Sequence, residues 1–232
     1  MKRILTFAFL LVAVTCFSQE NVLKLGFSNL FYGDYSLGYE RMISDNNSLN
    51  LNIGYIQPTS SFLIAPGDFK TKEFTVKSVD GGFHSSLEYR FYLGKSSAPR
   101  GFYVAPYVRY GQIKGVYSDS VRETLFDVNA TGNMFGAGVQ LGAQWLIKDL
   151  VSIDFSFFGA GVERYCAKLK YKTADHSSYD YSKITADVVD YIDDVDYLSK
   201  RLTNKVSTSN LTSKLPFLFP GFRFSVSVGI AF

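Results

Sequence analysis

The sequence is short of the residues on which most enzyme chemistry depends. Of its 232 residues, 2 are cysteine and 2 are histidine. Cys16 sits in the apolar N-terminal stretch, so Cys166 is alone in the remainder. No intramolecular disulfide and no cysteine metal cluster follow. A lone cysteine reads as a small packing residue. With His84 and His176 alone, histidine-based catalysis has few candidates. No Ser-His-Asp order, zinc-ligand spacing or phosphate loop occurs, so no catalytic, metal or cofactor site is expected. Basic and acidic residues number 24 and 21, which leaves no field to attract nucleic acid. No segment after the N-terminus approaches the roughly 18 apolar residues of a membrane-spanning helix.

Abundant instead are 16 tyrosines, 21 phenylalanines and 19 glycines, a composition that suits many strands, aromatic girdles and closely packed backbone. The chain ends in an alternating strand. Phe222, Phe224, Val226, Val228, Ile230 and Phe232 share one face, and Arg223, Ser225, Ser227, Gly229 and Ala231 share the other. Its length matches the roughly 9–11 residues of a tilted strand crossing a bilayer. Such a strand, closing on Phe232, resembles the C-terminal insertion signal of Gram-negative outer-membrane barrels. At the other end, Lys2-Arg3 and the apolar run Ile4 to Val14 form an export signal, with Cys16-Phe17-Ser18 before cleavage. Residues 1–18 are therefore expected to be removed, leaving 19–232 as one barrel domain. A lipid anchor at Cys16 is disfavoured by Thr15 before it.

The same alternation recurs seven more times. It runs through Leu23–Phe27, Tyr35–Tyr39, Leu49–Tyr55, Phe83–Leu93, Val104–Tyr110, Phe135–Trp145 and Val151–Phe157. Eight strands close a barrel without a free edge. Three connections are short or polar: Ser44–Asn47, Gly94–Arg100 and Lys148–Asp149. They alternate with Ser28–Asp34, Gln57–Gly82, Tyr117–Thr131 and Tyr171–Gly221. The expectation is an all-β, eight-stranded, antiparallel up-and-down transmembrane β-barrel with short periplasmic turns and long outer loops. The polar face decides the orientation of that barrel. It is rich in Gly, Ser, Ala, Asn and Gln, which suit a crowded lumen better than a water-facing exterior. Its charges come in both signs and are expected to pair inside: Lys24, Arg90, Arg109 and Arg223 against Glu40, Glu88 and Asp154.

Four stretches carry a family resemblance: Tyr35-Ser-Leu-Gly-Tyr-Glu-Arg41, Leu87-Glu-Tyr-Arg-Phe-Tyr92, Ala98-Pro-Arg-Gly-Phe-Tyr-Val-Ala-Pro-Tyr107 and Gly136-Ala-Gly-Val-Gln-Leu-Gly-Ala-Gln-Trp145. In order and spacing they resemble a family of small, largely uncharacterised Gram-negative outer-membrane β-barrels, similar in architecture to the OmpA and OmpX type. The resemblance implies a fold and a location in the outer membrane, with no catalytic residues. The long last outer loop departs from that pattern.

Two further features bear on function. His84-Ser85-Ser86 resembles the His-x-Ser of an outer-membrane lipid A deacylase. The parity of Phe83, Leu87 and Tyr89 turns His84 and Ser86 inward, where a lumen hydrogen-bonding pair is expected. In the last loop, Ile184, Val188, Ile192, Val195, Leu198 and Leu202 recur at helical spacing over 183–202. That helix is expected to cap the barrel, lie on lipopolysaccharide or dock a partner. Its acidic side, from Asp187 to Asp196, lacks the ligand order of a calcium loop and reads as a solvated face.

The function expected is therefore non-enzymatic: a barrel with a plugged polar lumen, structural or surface-binding through its outer loops. Its partners would be outer-membrane lipid and lipopolysaccharide, the barrel-assembly machinery during insertion, and a surface ligand or protein. A narrow channel for small solutes and a lipid-modifying enzyme are the alternatives.

Overall fold

A computed structural model describes residues 20–27, 33–57, 75–94, 99–121, 124–173, 180–182, 202–207 and 210–232. It contains nine strands in one sheet: β1 (Asn21–Gly26), β2 (Asp34–Ser44), β3 (Asn47–Ile56), β4 (Thr75–Tyr92), β5 (Gly101–Val121), β6 (Thr124–Ile147), β7 (Val151–Thr173), β8 (Thr203–Ser207) and β9 (Asn210–Ala231). Consecutive strands pair antiparallel from β1 to β7, and β7 pairs with β9. β9 pairs with β1, with Val22 opposite Ala231, and this closes an eight-stranded barrel. At the seam Asn21 and Phe232 exchange backbone hydrogen bonds of 3.0 and 2.9 Å. No helix among the described residues is long and apolar enough to cross a membrane, which does not bear on crossing by strands.

The alternation sorts the side chains to two different surroundings. Leu23, Leu37, Leu51, Phe91, Phe135, Trp145, Phe222 and Ile230 lie on the outer face, each more than a third exposed. Lys24, Glu40, Asn50, Glu88, Arg90, Gln144 and Asp154 lie inside and are almost wholly buried. This protein is therefore inverted relative to a water-soluble barrel, with polar atoms at the centre and hydrocarbon outside. Inside, aromatics lie over glycines of the next strand. A side chain at Gly138 would meet Tyr107 Oη at 2.7 Å, Gly161 Cα at 2.7 Å and the Ala160 carbonyl. Glycine is required there because the ring and two backbones already fill the space.

The barrel is lopsided. β1 to β3 have 6, 11 and 10 residues, whereas β5, β6, β7 and β9 have 21, 24, 23 and 22. At about 3.3 Å per residue and a tilt near 40°, ten residues rise about 25 Å, and the longest strands rise about 60 Å. The long side stands as a curved wall above the short side. Within that wall the alternation changes sign. Phe126, Val128, Tyr171 and Leu211 are now buried on the inner face, joined by Leu169 and Leu202 and sealed by Tyr181. Tyr181 stands 6.3 Å from Phe126 between ring centroids, and its hydroxyl accepts the Thr173 backbone N–H at 3.1 Å. The outward partners along these strands are Asn129, Thr131, Lys170, Lys172, Thr212 and Lys214.

Several expected loops are thus strand. Tyr117–Thr131 falls in β5 and β6 apart from residues 122–123, β4 begins at Thr75, and β8 and β9 occupy much of 171–221. Pro216 and Pro220 read as loop signals, yet they lie in β9 opposite Cys166 and Val162. Over that stretch β7 is the one partner strand of β9 among the described residues, and a strand edge tolerates a residue without an N–H. Of the short connections, Asp45-Asn46 and Lys148-Asp149-Leu150 are turns, and residues 95–98 of the third lie outside the described residues. Lys148 and Asp149 both take positive φ, 51° and 57°, between Ile147 and Leu150. That is a type I′ hairpin turn, whose twist matches the strands it joins. The expected export signal at 1–18 and the expected helix with Ile184, Val188, Ile192, Val195 and Leu198 lie outside the described residues.

Candidate functional site: the charged lumen

The lower half of the lumen is filled by one ionic network. Lys24 Nζ lies 2.5 Å from Glu40 Oε2, 2.6 Å from Asp154 Oδ2 and 2.9 Å from Gln144 Oε1. Arg90 donates from Nη2 to Glu88 Oε2 at 2.7 Å and from Nη1 to Asp154 Oδ2 at 2.6 Å. Its guanidinium also lies 4.3 Å from the centre of the Tyr103 ring. Neutral donors add further hydrogen bonds to the same three carboxylates. Tyr103 Oη donates to Asp154 Oδ1 at 2.8 Å, Tyr92 Oη to Glu40 Oε1 at 2.6 Å, and Asn50 Nδ2 to Glu88 Oε2 at 2.8 Å. Ser48 donates to Glu40. Above this layer Arg223 Nη2 reaches the other oxygen of Glu88 at 2.8 Å and Ser86 Oγ at 3.0 Å. Three cations, Lys24, Arg90 and Arg223, thus face three carboxylates, Glu40, Glu88 and Asp154.

Strand parity explains why the network forms. The charged residues come from β1, β2, β4, β7 and β9, and each occupies an inward position of its strand. β3 supplies Ser48 and Asn50, and β5 and β6 supply Tyr103 and Gln144, so all eight strands of the barrel are tied to one centre. The remaining predicted lumen residue, Arg109, sits higher and pairs through Nη1 with Glu163 Oε1 at 3.0 Å. Glu163 also accepts from Tyr165. The sequence reading missed Glu163 because a bulge between Ser156 and Gly159 shifts the phase of β7. Before it even-numbered residues point inward, and after it odd-numbered ones do.

Over this plug the lumen opens into a cavity of about 490 Å³, lined by Asn52, His84, Arg109, Met134, Tyr165 and Arg223 among others. His84 faces this cavity rather than the outer surface. Its Nε2 lies 2.7 Å from Asp34 Oδ1, while Ser86 is engaged by Arg223. His84 and Ser86 share a face without bonding each other, which corrects the expected pair. A hydrolase acting on membrane lipid needs its base and nucleophile in contact with that lipid; these two groups point away from it. No group of three or more metal-binding side chains occurs among the described residues.

Of the residues expected to form a membrane-insertion signal, Phe222, Phe224, Val228 and Ile230 lie exposed on the outer face of β9, and Val226 and Phe232 are part-buried. A family model described as a protein of unknown function, DUF3575, matches residues 4–192. The chain belongs to that family. The match accords with the resemblance to a little-characterised family. No curated protein matches at a significant level. Among solved structures the DUF3575 chain is similar to a major outer membrane protein from Thermus thermophilus. That match has 14% identity and a TM-score of 0.42, and covers 91% of this chain and 98% of that one. It is also similar to the N-terminal β-barrel domain of Pseudomonas aeruginosa OprF. There the identity is 10% and the TM-score 0.30, with coverage of 92% and 98%.

Proposed function

We propose that this protein is an integral outer-membrane β-barrel, exported by residues 1–18, whose lumen does not conduct and whose surface beyond the membrane binds. One observation carries the reading. A closed barrel that is apolar outside holds a network inside in which Lys24, Glu40, Glu88, Arg90 and Asp154 are each at most 4% exposed. An eight-stranded lumen is about filled by side chains, and charges so desolvated and mutually paired leave no path for an ion. The role is non-enzymatic: His84 engages Asp34 in the lumen, where it has no access to lipid. The termini meet at the short rim, which faces the periplasm. The tall wall then faces outward, and its partner is a lipid, ligand or protein at the cell surface.

Single-channel recording of the refolded protein in a planar bilayer tests the plug. Silence from protein that migrates as a folded species on an unboiled gel is expected. Discrete conductance steps that change on Arg109→Glu would instead establish the narrow channel. Orientation is tested separately with Asn129→Cys in a Cys166→Ser background, at an exposed position of the tall wall above the belt. A membrane-impermeant maleimide should label it in intact cells, and labelling only after lysis would reverse the orientation.

A further inference from the structure

Above the apolar belt the outer face of the wall turns from hydrocarbon to positive charge, and the strand register fixes where. Tyr110, Phe135, Arg164 and Leu218 form one row across β5, β6, β7 and β9. The next row is Gln112, Asn133, Cys166 and Pro216, and the one after it is Lys114, Thr131, Lys168 and Lys214. Lys170 and Lys172 continue β7 beyond these, and Lys205 of β8 lies opposite Thr212, the partner of Lys170. Lys168 is four residues past Arg164, about 13 Å along the strand and about 10 Å along the barrel axis. That distance separates an apolar belt from the head groups of the leaflet around it. Among the described side chains of these rows, Asp127 is the acid, opposite Lys172.

Among the described residues the unbalanced positive charge of the outer face lies at this end. At the short rim the exposed or half-exposed charges are mixed: Arg41, Arg100 and Lys148 against Glu20, Asp45 and Asp149, with Arg100 paired to Asp149. A second observation concerns Lys168 and Lys214. Both are exposed, and they are direct partners across β7 and β9. Like charges directly opposite on adjacent strands oppose folding unless an anion lies between them. A layer of phosphates supplies such anions without any pocket being built.

We propose that the outward face of β7 and β9 above the belt binds the phosphate groups of lipid A packed against the barrel. Lys168, Lys170, Lys172 and Lys214 are the principal contacts, and Arg164 sits at the boundary. Each lysine acts as a mobile point charge. The inference rests on the outer-membrane placement proposed above and names the lipid that the placement leaves open.

The test is native mass spectrometry of the refolded full chain, titrated with bisphosphorylated lipid A and with the same lipid after enzymatic dephosphorylation. Wild type should prefer the phosphorylated form by about ten-fold or more, and the preference should fade between about 0.05 and about 0.5 M salt. The triple variant Lys168→Glu, Lys170→Glu, Lys172→Glu should lose it. The milder triple Lys→Gln set gives the same readout should charge reversal impair folding. Arg41→Glu at the opposite rim should leave the preference intact. Equal binding of the two lipids by folded wild type would overturn the proposal, as would an unchanged preference in either triple variant. Wild type that fails to insert into lipid at all would refute the membrane placement instead, which separates the two claims.

Discussion

Replacing Arg90 by methionine tests whether the lumen is a dry, charge-balanced plug. Arg90 contacts Glu88 at 2.7 Å and Asp154 at 2.6 Å, and all three side chains are at most 5% exposed. Methionine keeps much of the length and loses the charge, so two cations then face three carboxylates with no water to take up the excess. Removing one partner of a buried ion pair costs about 3–5 kcal/mol. With an m-value of about 2 kcal/mol/M, the urea midpoint should fall by about 1.5–2.5 M. Trp145 is the one tryptophan of the chain, 51% exposed on the outer face, so its emission reports transfer between lipid and water. Folding measured by Trp145 fluorescence in lipid vesicles therefore reads the change directly. The double variant Arg90→Met, Asp154→Asn is the control. It leaves Lys24 with Glu40 at 2.5 Å and Arg223 with Glu88 at 2.8 Å, two cations on two carboxylates. Most of the lost stability should return. If Arg90→Met shifts the midpoint by less than about 0.5 M, its cost is that of an exposed pair. The lumen would then be hydrated and the plug argument refuted.

Four further outcomes follow from the packing. Gly138→Val should block barrel assembly, since its side chain would enter the space of Tyr107, Gly161 and Ala160; the readout is the folded band on an unboiled gel. Tyr181→Ala should leave the barrel folded while speeding hydrogen exchange at the Thr173 amide, because Tyr181 seals the apolar cup at Phe126 and Leu211 and its hydroxyl accepts that N–H. Replacing Lys148-Asp149 by Asn-Gly should raise stability by about 1 kcal/mol. The left-handed backbone at both positions disfavours Lys and Asp by more than Asn and Gly, and the same urea titration measures it. Arg109→Ala should leave Glu163 with Tyr165 alone and should destabilise less than Arg90→Met, since Arg109 is 27% exposed beside the cavity.

The barrel portion of the fold was legible because each strand that meets hydrocarbon outside and polar atoms inside carries a strict period-two pattern. Lys24, Glu40, Glu88, Arg90, Asp154 and Arg223 could be grouped from parity alone, before any distance was known. Parity failed where the physics changed. Above the belt the outer face meets water, so Phe126, Val128, Tyr171 and Leu211 turn inward and the pattern inverts. By the membrane-facing pattern, Tyr117–Thr131 and the start of β9 resemble loops. Glu163 escaped because a single bulge in β7 exchanges its two faces. The pairing of His84 with Asp34 joins β4 to the first residue of β2, and nothing local in sequence marks a contact between strands that are not hydrogen-bonded neighbours.

The seam between β1 and β9 carries a consequence for the order in which the molecule can be made. β1 has six residues and is bonded on one side to β2 and on the other to the last residues of the chain, Ser227–Ala231. The ring therefore stays open until Ser227–Ala231 have been synthesised. Until then β1 and β7 are unprotected sheet edges, each a template for pairing with another chain. A chain that stops before Ser227 has none of the β1–β9 pairs and is a curled sheet with two open margins rather than a smaller barrel. Its fate is set by how quickly a chaperone or a protease reaches those margins, and only a chain whose β9 reaches β1 escapes that competition.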